Sequence, residues 1–193
     1  KYINAAQGSA KLLQNLISDT LDLAKIESGK FELESIPVNL NSLLDNLELQ
    51  FDSQSVVKGI EFQTVYHDLP EIIESDPTRL SQILFNLVGN AIKFTAMGKV
   101  TLSLSYQNSR ITIKVKDTGI GIPEDKLASI FQPFTQAEIH LNRRFGGTGL
   151  GLTICKAIIE MMRGEIKCTS QINQGSEFVV ELPIKQLFIS KPQ

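Results

Sequence analysis

A chain of 193 residues carrying a net charge of −2 can bury one sizeable core plus an appendage. Its 42% hydrophobic and 21% charged residues are ordinary for a globular protein, and so small a charge points to neither nucleic acid nor a membrane surface. Residues 1–10 show no signal-peptide pattern, and the longest apolar stretch, residues 83–92, is broken by Asn86, Gly89 and Asn90 and is too short to span a bilayer.

The first segment reads as a helix. Ile3, Ala6, Ala10, Leu13, Ile17 and Ala24 recur at alternating three- and four-residue spacing, with Thr20 the one polar member of the seam. Leu12, Leu16 and Leu23 widen the stripe, and Ser28-Gly29 supplies a stop. One amphipathic helix cannot bury such a stripe alone, so the pattern calls for a partner helix. Packing against the core of its own domain fits poorly, because Pro37 soon breaks the chain. From about Phe31 the pattern becomes mixed. Residues 43–58 read as a helix, 60–66 as a strand and Pro77–Phe94 as a strong helix. Residues 100–106 and 111–115 alternate and form a hairpin around Asn108-Ser109. A helix over 149–163 and strands at 165–169 and 177–183 complete the domain, and a frayed tail begins at Leu187. Helices with mainly antiparallel strands in this order give class α+β, a two-layer α/β sandwich. Cys155 and Cys168 have no CxxC spacing and no histidine placed for a zinc site, so they read as small core residues in a reducing compartment.

Within Pro77–Phe94, Leu80, Ile83, Leu84, Leu87, Val88 and Ala91 share one face, with Asp76 as N-cap and Pro77 as first helical residue. Gln82, Asn86, Asn90 and Lys93 form a polar stripe on the other side. For Gln82 a solvated face suffices. Two asparagines one turn apart cost helix stability, and Asn90 borders the apolar stripe. An amide oxygen there can be a hard neutral ligand for Mg²⁺, an ion that keeps waters and shares phosphate oxygens. Lys93, one turn on, can reach a phosphate as a point charge.

Asp117-Thr118-Gly119-Ile120-Gly121-Ile122-Pro123 follows a strand directly. A turn explains such a run too. In the functional reading, the Asp117 carboxylate accepts from an exocyclic amine, which selects adenine over guanine, while Gly119 and Gly121 let the backbone approach the base. A second run, Gly146-Gly147-Thr148-Gly149-Leu150-Gly151-Leu152, opens a helix that is apolar nearly all round, so its N–H groups suit phosphate on a rigid support. The spacing matches neither a P-loop nor a dinucleotide fingerprint. Between the two runs lie Phe131-Gln132-Pro133-Phe134 and the long polar stretch 135–145, with Arg143 and Arg144. That stretch reads as a lid whose base the two aromatics anchor, with an arginine on the terminal phosphate.

Taken in order, these pieces resemble the histidine kinase branch of the Bergerat-fold ATPases. DPTRLSQILFNLVGNAIKFT resembles the asparagine box, DTGIGIP the first glycine box, FQPF the phenylalanine box and GGTGLGL the second glycine box. LISDTLDLAKIESGKFELE resembles the end of the dimerisation helix pair and its linker in hybrid-type kinases. The match covers nearly the whole chain, and four ordered boxes are far more specific than any one. The resemblance implies ATP and Mg²⁺ as cofactors, with Asn90 and Lys93 as the catalytic residues. Asn90 would hold Mg²⁺ with Asn86 nearby, Lys93 would touch phosphate and Phe94 would lie beside the nucleotide. Asp117 would read adenine, with Gly119, Gly121 and Ile122 around it. Gly147, Thr148, Gly149, Leu150 and Gly151 would shape the lid hinge and phosphate contacts, with Arg144 in the lid.

The resemblance also divides the chain into a second dimerisation helix and linker (1–34), an ATP-binding catalytic domain (35–187) and a tail (188–193). It implies a cytoplasmic homodimer joined through the helical region, a response regulator receiver domain as partner, no nucleic acid, and a membrane anchor only outside this chain. Relatives carry an upstream box resembling SHEIRTPL, whose histidine accepts the γ-phosphoryl. No such string occurs here, and His67 and His140 read as surface residues. In the gyrase, Hsp90 and MutL branches, a glutamate that activates water stands four residues before the metal-binding asparagine. Here that position is Asn86, whose amide is no base, which argues against hydrolysis. A kinase-like binding module that only dimerises with or occludes a partner is disfavoured by the intact boxes.

Overall fold

A computed structural model of the chain describes residues 2–135 and 149–188. In chain order the elements are α1 (Tyr2–Glu27), β1 (Ile36–Asn39), α2 (Leu40–Lys58), β2 (Glu61–His67), β3 (Ile72–Ser75), α3 (Pro77–Phe94) and β4 (Lys99–Gln107). There follow β5 (Arg110–Asp117), α4 (Glu124–Leu127), α5 (Gly151–Met161), β6 (Glu165–Gln171), β7 (Gly175–Pro183) and β8 (Lys185–Leu187).

Alternation in β4 and β5 builds the main sheet. Val100, Leu102 and Leu104 with Ile111, Ile113 and Val115 are almost completely buried, while Lys114 and Lys116 face outward. Asn108 and Ser109 both take positive φ (52° and 58°), as a two-residue hairpin turn requires. The five strands run in the order β2-β4-β5-β7-β6. Helices α2, α3 and α5 pack on the sheet, and the fully buried Leu80, Ile83, Leu84 and Val88 of α3 supply the middle of the core. The two-layer α+β sandwich expected from the sequence is the fold. One pairing differs from the antiparallel expectation: β2 and β4 are parallel. Parallel neighbours need a long crossover, and α3 provides it.

A second sheet, β1-β3-β8, has no counterpart in the sequence reading. Its strands of three or four residues are too short to show a period. It draws the expected tail residue Leu187 into a ladder opposite Ile72; residues 189–193 lie outside the described residues.

Helix α1 uses two faces. Leu13, Ile17 and Leu21 are exposed (58%, 53% and 56%), as a helix awaiting a partner would be. Its C-terminal half nevertheless packs on its own domain, which corrects the sequence expectation. Leu23 and Ile26 meet the core, and the buried Asp22 accepts from Arg79 Nη1 at 2.9 Å and from Gln82 Nε2 at 3.2 Å. Arg79 also donates to Gln82 Oε1 at 2.8 Å and stacks 4.3 Å from the centre of the Phe31 ring. The linker turns back because Phe31 is buried and the Glu34 N–H donates to Asp76 Oδ2 at 3.0 Å. Gln82, expected on a solvated face, is therefore part of this tie.

Candidate nucleotide site

The helix that carries the polar stripe is fixed at both ends. Asp76 Oδ1 accepts from the Arg79 N–H at 3.0 Å, and Pro77 opens the helix. At the C-terminus, Thr95 Oγ1 donates to Ala91 O at 2.8 Å and Lys58 Nζ donates to the carbonyls of Ile92 and Lys93. Cations suit this end of the helix dipole. Asn86, Asn90, Lys93 and Phe94 are all half-buried along α3. The Lys93 ammonium lies 4.7 Å from the centre of the Phe94 ring, and burial lowers its pKa.

The first glycine box and the described end of the second, residues 149–152, meet this helix. Asp117, the last residue of β5, is only 5% exposed, and its Oδ1 accepts from the Gly119 N–H at 2.8 Å. Burial pushes its carboxyl pKa up, opposed by the backbone N–H groups of Gly119 and Ser176. It forms no ion pair among the described residues. A Cβ on Gly119 would sit 2.4 Å from Phe94 O, and one on Gly121, at φ +70°, would sit 2.0 Å from Gln171 O. The glycines are thus required by close backbone approach. Ile122 is half-buried, with its N–H bonded to Ser170 Oγ at 2.8 Å.

At the other end, a Cβ on Gly151 would lie 2.9 Å from Asn86 Oδ1, and Gly149 (φ +73°) approaches the backbone of Phe134. Leu150 is fully buried, so it turns its backbone, not its side chain, to any ligand. Helix α5 starts two residues later than expected. Beside Asn86, burial pushes the Cys155 thiol up to about 12, an inert core group. Of the two aromatics expected to anchor the lid, Phe131 is half-buried and meets Phe178 edge-on at 6.5 Å, whereas Phe134 is 70% exposed. Arg143, Arg144, Gly147, Thr148 and His140, and the expected lid beyond Thr135, lie outside the described residues. His67 is exposed at the end of β2, as expected.

The structure thus brings the loop after β5 against Phe94 and Gly151 against Asn86, with Asn90 and Lys93 on α3 between those two positions. Sequence reasoning missed Ser170, Ser176 and Thr95, which lie outside the expected boxes or at their edge and carry no periodic signal. It also missed Arg79, whose role depends on where α1 returns. Among the described residues no three His, Cys, Asp or Glu are placed to hold a metal ion, and no helix is long and apolar enough to cross a membrane.

Residues 75–186 match the family described as histidine kinase-, DNA gyrase B- and HSP90-like ATPase. The signal transduction histidine-protein kinase BarA of Escherichia coli K12 is 43% identical over 183 residues, 92% of this chain and 20% of BarA. The chain thus spans about a fifth of the length of such curated relatives. Full-length ShkA in complex with AMPPNP superposes with a TM-score of 0.83 at 34% identity, over 96% of this chain and 39% of ShkA. Histidine kinase ThkA in complex with the response regulator protein TrrA superposes with a TM-score of 0.71 at 29% identity, over 95% of this chain and 50% of that chain. With its asparagine stripe, its first glycine run and the described part of the second meeting on one helix, the chain belongs to the histidine kinase-, DNA gyrase B- and HSP90-like ATPase family.

Proposed function

We propose that this domain binds Mg²⁺-ATP between α3, the loop 117–122 and the start of α5, and passes the γ-phosphoryl to a histidine on a helix outside this chain. Asp117 carries the reading: its buried carboxylate has backbone donors but no cation among the described residues, so an arriving adenine amine offsets a desolvation cost already present. Lys93 is the counterpart for phosphate, since its half-buried ammonium gains most from an anion. The half-buried Asn90 amide fits Mg²⁺, which takes oxygen ligands and keeps waters. When bound, that ion neutralises charge on the phosphates; positioning by the protein does the rest. Phe94 flanks the base, the first N–H groups of α5 face phosphate, and Gly147, Thr148 and Arg144 complete the phosphate side. Asn86, an amide, abstracts no proton from water, so transfer rather than hydrolysis is the assigned chemistry.

The same reading assigns residues 1–34 to the dimerisation helix and linker, 35–187 to the catalytic domain and 188–193 to a tail. Leu13, Ile17 and Leu21 then face a second copy or the upstream helix of a cytoplasmic parent, whose phosphoryl group passes to a response regulator receiver domain. The complex of ThkA with TrrA supports that partner class. Incubation with labelled ATP and Mg²⁺ tests the reading. The chain alone should stay unlabelled on histidine, and adding the upstream helix should give acid-labile label. Acid-labile label on the chain alone, lost on substitution of His67 or His140, would refute it.

A further inference from the structure

Ser170, on β6, lies in no glycine box, yet its hydroxyl sits at a junction. Its Oγ is 2.8 Å from Ile122 N, 2.8 Å from Gly175 O and 2.9 Å from Ser176 Oγ. A serine hydroxyl has one proton and two acceptor lone pairs. The Gly175 carbonyl can only accept, so the proton goes there. The Ile122 N–H and the Ser176 hydroxyl then donate to the lone pairs, and every bonding position is used.

The two segments joined in this way are those that hold Asp117. From the loop after β5, the Gly119 N–H reaches Asp117 Oδ1 at 2.8 Å. From the start of β7, just after the β6–β7 turn, the Ser176 N–H favours the same carboxylate. Loop and turn touch through backbone. The Asn173 N–H donates to Ile120 O at 2.7 Å, and a Cβ on Gly175 would lie 1.9 Å from Asp117 O. Besides Asp117 itself, Ser170 is a side chain that ties them.

We propose that Ser170 is a positioning residue for base recognition, acting through Asp117 and setting the preference of the site for adenine over guanine nucleotides. The proposal rests on the reading of Asp117 as the base acceptor. Ser170→Ala strands the Ile122 N–H and loosens both segments around the carboxylate; Ser170→Thr keeps the hydroxyl.

The test is calorimetric binding of ADP and of GDP to the chain and to both variants, with amide exchange at Ile122 measured without nucleotide. Ser170→Ala should weaken ADP roughly five- to twentyfold and change GDP less than about twofold. It should also speed exchange at Ile122, and Ser170→Thr should restore both. A purely structural role would lower both nucleotides together, and that result, or an unchanged ratio of ADP to GDP, overturns the proposal. Ser170→Cys carries the same comparison if the alanine variant does not fold. Asp117→Asn separates the two levels. If it weakens ADP while Ser170→Ala does not, the proposal alone fails; if it leaves ADP unchanged, the reading of Asp117 fails and the proposal falls with it.

Discussion

The tie between α1 and α3 gives a stability prediction with a definite size. Asp22→Ala removes a carboxylate that is 11% exposed and strands Arg79, whose side chain is 20% exposed. Removing one partner of a sealed ion pair costs about 3–5 kcal/mol. This pair is not sealed: a fifth of the arginine side chain meets water, and Gln82 Oε1 still accepts from it at 2.8 Å. The expected loss is therefore about 1.5–3 kcal/mol. Arg79→Ala also loses the stacking on Phe31, about 0.5–1 kcal/mol more. Urea unfolding of both single variants and the double variant should give a coupling of about 1–2 kcal/mol. Amide exchange should quicken in the second half of α1 and stay slow in α3, because only the helix is released. Single-variant effects that add within about 0.5 kcal/mol would show that the two side chains do not act as a pair in solution, and the reasoning would fail.

Asp117→Asn should weaken ADP binding by about 1.5–3 kcal/mol while leaving the fold intact, because the amide oxygen can still accept from Gly119 while its NH₂ opposes the adenine amine; calorimetry checks this, and unchanged affinity would sink it. The Asp117 carboxyl titrates above the ordinary 3.8, so its contribution to stability is full below that value and is lost as pH rises through the raised one. Thermal melts should accordingly show Asp117→Asn gaining stability relative to the parent chain as pH climbs through that window, whereas ADP affinity of the parent should fall on acidification through it. Asn90→Ala should remove most of the Mg²⁺ dependence of ATP binding with helix content preserved, since alanine is the better helix former; circular dichroism that collapses together with binding would point to a structural asparagine instead.

Legibility followed local chemistry. The bounds of α3 could be read from the sequence because Asp76, Pro77 and a six-residue apolar stripe all speak within one segment, and the β4–β5 turn because Asn108-Ser109 is a two-residue motif. The candidate site residues stand out in the sequence for the same reason: the asparagines share one helical segment and each glycine run is contiguous. What stayed hidden was pairing at a distance. Strands of three or four residues carry no period, and nothing in Lys185–Leu187 announces β3 as its neighbour. Gln82 looked solvated because its partner, Asp22, lies 60 residues earlier in the chain. Ser170 was invisible because an isolated polar residue on a strand looks like any solvent-facing position until the loop after β5 is laid over it.

The ladder between β5 and β7 has a consequence for how this domain can vary. Asp117 ends β5 and Ser176 stands near the start of β7; the antiparallel register brings Lys116 opposite Glu177 and so places these two ends side by side, whatever the chain does between them. Lengthening a flexible connection adds a closure cost that grows only with the logarithm of its length, about 0.6 kcal/mol per doubling. The register of β5 on β7, not the length of the chain between them, therefore fixes where the Asp117 carboxylate stands. On the proposed reading, the group that selects the base is held by strand pairing rather than by the loops around it.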